Sequence, residues 1–264
     1  DLFVYRLGDE RWFLVPNAAN KDKVVSVVRA AGAEAIDHDD WCFLGVQGPR
    51  SHAVVSKLWR TAVELAFRGC RTVDWKGTEV VLGRTGYTGE RGYELFADGA
   101  IAAELWGALT TAGQPFDIEP CGLAARDVLR LEMGYPLYGQ DLGPDRTTLE
   151  AGLGWSVSFD KGPFVGLEAL ERQRDAGLPS LLRGLATGDR RQIPRAHHPV
   201  IAGDRTAGEV TSGTYSPLLG HGIAMAYLSP ADAFEPGTGV EIDIRGRRAP
   251  ATVVRTPFVD RSPR

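Results

Sequence analysis

Residues 84–95 read Arg-Thr-Gly-Tyr-Thr-Gly-Glu-Arg-Gly-Tyr-Glu-Leu, with a glycine at every third position leading into strand-like residues. That rhythm invites comparison with a phosphate-binding loop, but the chemistry fails. No Lys-Ser/Thr pair closes the segment, and a strand, not a helix, follows it, so the helix N-terminus that would receive a phosphate is missing. The glycines suit a tight hairpin-like connection that uses positive φ. Glu94 is the residue here that could do chemistry. Lying between Tyr93 and Leu95, its side chain alternates away from both, which puts the carboxylate either in solvent or in a cleft.

A second candidate lies at residues 121–134, read as a helix over 123–133 bounded by Gly122 and Gly134. Arg126 and Arg130 stand four residues apart on one helix face, where like charges repel unless a carboxylate or a ligand comes between them. The alternative is a solvated face with Asp127 and Glu132 as local partners. Tyr138-Gly139-Gln140-Asp141 follows, and then residues 149–155, in which the glycine-spaced Trp155 is either core or a stacking surface.

Other chemistry-bearing residues point away from metal or disulfide sites. His197 and His198 are adjacent on an extended segment, so they face opposite ways, with no further His or Cys nearby; they read as a surface loop. Cys42, Cys70 and Cys121 are odd in number and widely spaced, without a CxxC pair, which fits a reducing compartment. No metal is expected.

The elements that must position these groups alternate in the first third of the chain. The opening residues, from Asp1 to Tyr5, read as the middle of a strand, so natural sequence is expected to precede them. A short apolar run at 12–15 leads to a helix capped by Asn20, with Val24, Val25, Val28 and Ala31 on one face and Gly32 as its stop. Residues 42–46 form a second apolar run, and Pro49 suits the first turn of a helix carrying Val54, Val55, Leu58 and Trp59. Strands are predicted at 78–82 and 93–96, and a helix at 101–109. A polar helical stretch at 168–177 reads as a connection. From about residue 181 the texture changes to short β-prone runs at 182–185, 199–202, 209–211, 223–227, 240–244 and 251–254. Gly203-Asp204 and Arg245-Gly246 are good hairpin turns, and the pattern suggests a small antiparallel barrel or sandwich.

The chain has 264 residues, 43% hydrophobic and 24% charged, enough for one large or two modest domains. Its apolar runs are broken by Gly or charge well short of a membrane span. With 30 basic and 34 acidic side chains and a net charge of -4, it has no general attraction to nucleic acid or anionic lipid. Any anion must be met locally, as by Arg190, Arg191 and Arg195, which are expected to form a positive surface on an otherwise acidic protein.

Five segments carry a resemblance. Gly86-Tyr87-Thr88-Gly89-Glu90, Ala124-Ala125-Arg126-Asp127, Tyr138-Gly139-Gln140-Asp141, residues 149–155, and Val210-Thr211-Ser212-Gly213-Thr214-Tyr215-Ser216-Pro217 occur in this order and spacing in aminomethyltransferases, the T-proteins of glycine cleavage. The chain resembles that family over essentially its whole length. The resemblance implies an α+β, multi-lobed folate-binding fold: a folate-binding region over 1–160 with lobes at roughly 1–42 and 43–160, completed by sequence ahead of Asp1; a connection over 161–180; and a C-terminal antiparallel β-barrel over 181–264. It implies tetrahydrofolate as co-substrate, accepting a methylene carbon from the aminomethyl-lipoyl arm of the H-protein with release of ammonia.

Residue by residue, the resemblance makes Glu94 and Arg126 the pterin-holding pair, facing one pocket. A carboxylate can accept both N–H donors of the pterin amidine edge, and an arginine can donate to the adjacent carbonyl oxygen. Asn17, Tyr87, Tyr138 and Trp155 match further positions lining the folate. Asp1 matches the family's functional aspartate, whose expected role is to orient the reacting folate and stabilise positive charge on the methylene. The implied location is the bacterial cytoplasm, or the mitochondrial matrix in a eukaryote. The same fold also serves folate-dependent demethylases, domains of dimethylglycine- and sarcosine-oxidising enzymes, and non-catalytic folate-binding proteins, and fold alone does not choose among them.

Overall fold

The computed structural model describes residues 1–262, so the last two residues of the expected barrel stretch lie outside the described residues. The chain divides into two compact units. Residues 1–126, joined by Arg261 and Ser262, make up the first, and residues 127–260 the second.

In the first unit β1 (Leu2–Arg6) and β2 (Trp12–Pro16) form an antiparallel hairpin that sets Tyr5 opposite Phe13. Helix α1 (Lys21–Ala30) follows, and Gly32 at φ +84° closes it, its N–H reaching Arg29 O at 3.0 Å. This is the stop expected of a glycine in the left-handed region. A four-stranded antiparallel sheet then forms from β3 (Trp41–Gln47), β4 (Cys70–Trp75), β5 (Thr78–Gly83) and β6 (Gly92–Asp98), in the order β3-β6-β5-β4. Helix α2 (Ser51–Leu58) lies between β3 and β4 in sequence, and α3 (Ala102–Gly113) follows β6. Strand β4 is absent from the sequence expectations.

The period of two along β6 decides what each face does. Tyr93, Leu95 and Ala97 bury with Val80 and Leu82 of β5 and with Val54, Val55, Leu105 and Leu109 of α2 and α3. Phe96 and Val81 point the other way, against Tyr5, Phe13 and Val15 of the hairpin. Glu94 lies on the hairpin side because it is two residues from Phe96. Helix α4 (Leu123–Glu132) begins in this unit.

The second unit carries α5 (Leu167–Ala176) and six strands, β7 (Leu181–Thr187), β8 (Pro199–Ala202), β9 (Arg205–Ser216), β10 (His221–Leu228), β11 (Gly239–Ile244) and β12 (Arg247–Val254). They close into an antiparallel barrel in the order β10-β7-β12-β11-β8-β9. The choice between sandwich and barrel is thereby made, and closure removes the exposed edges of an open sheet. Leu185, Val200, Val210, Leu228, Ile242 and Val253 fill the interior together with small Ala207, Ala224 and Ala226. Arg245 and Gly246, both at positive φ, make the hairpin turn between β11 and β12. Strand β9 runs far beyond the expected 209–211 because Gly208 and Gly213 hide its pattern. A Cβ at Gly208 would run into Tyr227 O, so close strand approach demands the residue that β-propensity disfavours. Among the described residues no helix is long and apolar enough to cross a membrane.

Candidate functional site

Glu94 sits on central strand β6, directly opposite Gly45 on β3 and Gly83 on β5. Cross-strand partners share a face, so two glycines leave the carboxylate without flanking side chains. The flanks are used differently. A Cβ at Gly83 would stand 2.8 Å from the Tyr5 ring and hydroxyl, so that glycine makes room for Tyr5, whereas at Gly45 a Cβ would meet nothing nearer than 3.7 Å. Tyr5, 2% exposed, brings its hydroxyl 2.5 Å from Thr85 Oγ1 and 3.1 Å from Glu94 Oε2. Thr85 Oγ1 in turn donates a short hydrogen bond to the same Oε2. Burial, reinforced by the nearby Glu94 carboxylate, holds the Tyr5 phenol well above its ordinary value, so it stays a donor. The structure thus brings two hydroxyls within hydrogen-bonding distance of Glu94 Oε2. Tyr5 was not signalled by spacing, being 89 positions away.

The glycine-rich loop connects β5 to β6 and is held from below by Gln47. Its Nε2 donates to Thr85 O at 3.4 Å and Tyr93 O at 3.3 Å, and its Oε1 accepts from Thr88 Oγ1 at 3.3 Å. The positive-φ reading of these glycines is corrected here. Only Gly89 of the three has positive φ, at 77°; Gly86 and Gly92 are glycine because a Cβ on either would occupy the place of Gln47 Oε1. Arg261 Nη1 donates to Thr88 O at 3.3 Å from the far end of the chain. The loop so fixed presents Tyr87, and the exposed Arg126 guanidinium lies 4.7 Å from the centre of the Tyr87 ring. Glu94 and Arg126 thus both engage this one loop, through Thr85 and Tyr87.

Asp1 and Asn17 meet across the open end of the β1–β2 hairpin. Asn17 Nδ2 donates to Asp1 Oδ2 at 3.0 Å and to Asp1 O at 3.2 Å, and the buried Asn20 donates to Asp1 O at 3.0 Å. Asn20 occupies the N-cap position of α1, yet its side-chain oxygen makes no cap hydrogen bond; the side chain instead sends its amide N–H to Asp1 O. The expected cap is therefore corrected in its chemistry though not in its place.

The remaining expected residues lie in the second unit. Trp155, in the short helical turn Gly154–Ser156, is 76% exposed and so is surface, not core. Tyr138 lines a cleft of about 770 Å³ with Arg146, Ser180, Thr206, Glu209 and Tyr227. The Arg126/Arg130 pair separates by environment. Arg130 is fully buried and spends its guanidinium on Asp127, Tyr135 O, Asp141, Gln140 and Ser212. Three of the distinctive motifs are therefore clamped together, because Asp127 comes from one, Gln140 and Asp141 from a second and Ser212 from a third. Thr211 Oγ1 also donates to Asp141 at 2.5 Å. His197 is exposed and bonds Glu209 at 2.8 Å, while His198 accepts from Arg195 N at 3.1 Å. Among the described residues no group of His, Cys, Asp and Glu is placed to hold a metal. The three expected surface arginines, Arg190, Arg191 and Arg195, are all exposed, and Arg195 also donates to Gly213 O at 2.9 Å.

Fold and site define an α+β protein with a C-terminal closed barrel, whose first unit carries a carboxylate, an arginine on an aromatic ring, and a clamped aspartate. Residues 1–161 match the GCVT N-terminal domain, and residues 181–260 match the glycine cleavage T-protein C-terminal barrel domain. An aminomethyltransferase of Frankia alni is 46% identical over 269 residues, covering 100% of this chain and 73% of its own length. One from Streptomyces avermitilis is 45% identical, covering 99% of this chain and 73% of its own. The solved structure of glycine cleavage system aminomethyltransferase T from Bartonella henselae matches with a TM-score of 0.88 at 32% identity, over 99% of this chain and 72% of that one. The chain belongs to the glycine cleavage T-protein family, the aminomethyltransferases.

Proposed function

We propose that this chain moves the methylene carbon of an aminomethyl-lipoyl H-protein to tetrahydrofolate, with release of ammonia, and that Glu94 and Arg126 hold the pterin while Asp1 acts beside the reacting atoms. The observation that carries the reading is Glu94: an acidic side chain on a central strand, between two glycines, held at one oxygen by protein hydroxyls. Among the described residues no protein group engages its other oxygen, Oε1, which suits a ligand offering paired N–H donors. An apolar or anionic ligand would find nothing favourable there.

Tetrahydrofolate fits these residues and, when bound, supplies the nucleophilic nitrogens that take the carbon. Glu94 would bind the amidine edge, Arg126 the adjacent carbonyl, and Tyr87, already stacked with Arg126, an apolar ring face. Asp1 needs a fixed position to favour developing positive charge, and its bonds from Asn17 and Asn20 are of the kind that give one. Tyr138 and Trp155 are proposed as further folate-lining residues on the family resemblance alone. The family's bacterial members, Frankia alni and Streptomyces avermitilis among them, fit a cytoplasmic site of action. The test is ammonia release from aminomethylated H-protein with and without tetrahydrofolate. Folate-dependent release supports the proposal; release that ignores tetrahydrofolate, or none from the full chain, defeats it.

A further inference from the structure

Three oxygens meet beside Glu94, and only two hydroxyl hydrogens serve them. Thr85 Oγ1 is in short contact with Glu94 Oε2, Tyr5 Oη is 2.5 Å from Thr85 Oγ1, and Tyr5 Oη to Oε2 is the longest side at 3.1 Å. If both hydroxyls donated to the carboxylate, the Tyr5 and Thr85 oxygens would face each other at 2.5 Å with no hydrogen between them. The arrangement without such a clash runs in one direction: Tyr5 donates to Thr85, and Thr85 donates to Glu94. Both hydroxyl residues are buried, Thr85 at 4% and Tyr5 at 2% exposure, so neither exchanges its bond for water. Chains of hydrogen bonds in a low-dielectric setting polarise one another and strengthen the last link.

We infer that Tyr5 and Thr85 are positioning residues: their relay fixes the Glu94 carboxylate through Oε2, so that Oε1 and the second lone pair of Oε2 are aimed at an amidine-bearing ring. The inference rests on the reading of Glu94 as the pterin-holding carboxylate. Three observations support it independently of that reading. Gly83 is required to be glycine by the Tyr5 ring and hydroxyl. The Tyr5 ring is anchored against Phe96 and Phe13, with centroids 5.9 and 6.4 Å away. The Gly45 flank of Glu94 is left open while the Gly83 flank is filled. A carboxylate held from one side and open on the other has one rotamer to offer, and a ligand then need not immobilise it on binding.

The experiment compares Thr85→Val, Thr85→Ser, Tyr5→Phe and Glu94→Gln in the full chain, measuring tetrahydrofolate affinity together with KM and kcat for folate-dependent ammonia release. Loss of an orienting hydrogen bond to a charged group should weaken binding about tenfold. Such a loss is felt equally in ground and transition states, so KM for tetrahydrofolate rises while kcat changes little. Thr85→Ser should recover most of what Thr85→Val loses, and Tyr5→Phe, which keeps the buried ring, should reproduce the rise in KM. If Glu94→Gln weakens binding but Thr85→Val and Tyr5→Phe do not, the relay is overturned and the reading of Glu94 stands. Thr85→Ser losing as much as Thr85→Val also overturns the relay. If Glu94→Gln itself leaves affinity unchanged, the reading beneath it fails.

Discussion

Arg130 Nη1 stands 2.7 Å from Asp141 Oδ2, and solvent reaches neither side chain. A buried pair of this kind costs desolvation on both sides, and removing one partner leaves the other charge uncompensated. Asp141 also accepts from Leu137 N and Ser212 Oγ, each at 2.8 Å, so it is the hub of its loop. Asp141→Ala should therefore lower stability by about 3 to 5 kcal/mol. Asp127, whose side chain is 46% exposed, bonds the same arginine, and its loss should cost far less. Urea unfolding of the two variants checks this; equal losses would mean that Asp141 is not the principal partner.

Gln47 and the glycines around it yield a prediction of opposite logic. Gly92→Ala places a methyl where Gln47 Oε1 lies, so it should destabilise by roughly 1 to 3 kcal/mol through overpacking. The same substitution in a Gln47→Ala background should cost less, because the obstructing amide is gone. A double-mutant cycle on the melting curves measures the difference, and additive losses would show that backbone strain, not Gln47, demands glycine at 92.

How much of this was legible in the sequence depends on what carried each signal. The barrel was readable because its short β-prone runs are separated by turn residues, Gly203-Asp204 and Arg245-Gly246 among them. Strand β4 was not, because Arg71 and Asp74 interrupt an edge strand buried only in part. The residues around Glu94 were legible only through the carboxylate itself. Tyr5 and Gly45 reach it through packing and pairing across long sequence separations, and a lone tyrosine in a strand looks like ordinary core. Arg126 and Arg130 looked equivalent on the helix wheel, and their separation into surface and core is decided by Gln140, Asp141 and Ser212, which arrive from elsewhere in the chain.

Glu150 gives a pH dependence whose sign can be worked out. Burial pushes its carboxyl up, but hydrogen bonds from Ser180, from the Thr147 backbone and from Gln173, with Arg146 nearby, outweigh this and hold it below its ordinary value of 4.5. A carboxylate with a depressed folded-state value contributes stability above its unfolded value, and loses it as pH falls through the folded value. The Glu150→Gln variant should thus be less stable than the parent near neutrality, and the gap should close as pH falls below about 4.5. Melting temperatures of both proteins over that range decide the matter. A gap that stays constant would assign the effect to lost packing instead of charge.

Asp1 and Asn17 carry the last prediction, which concerns rate and not stability. Asp1 is exposed, so its charge contributes little to folding, yet its carboxylate is held by Asn17 Nδ2 at 3.0 Å and its carbonyl by Asn17 and Asn20. One of these three hydrogen bonds reaches the carboxylate, and the two to the main-chain carbonyl hold the backbone that carries it. They are what a group needs if it must meet a charge that appears only during reaction, since a preorganised carboxylate does not have to reorient when the charge develops. Asp1→Asn keeps the shape and removes the charge. In the full chain it should lower kcat for folate-dependent ammonia release roughly 10²-fold, with tetrahydrofolate affinity largely kept. Asn17→Ala should lower kcat by a smaller factor, because the carboxylate remains but is less well held. If Asn17 acts on the rate through Asp1, the double variant should have the kcat of Asp1→Asn alone. Kinetics of the three variants test the whole chain of reasoning: a double variant much slower than Asp1→Asn would give Asn17 its own part in the transition state, and an Asp1→Asn protein with the parent's kcat would remove Asp1 from the reaction.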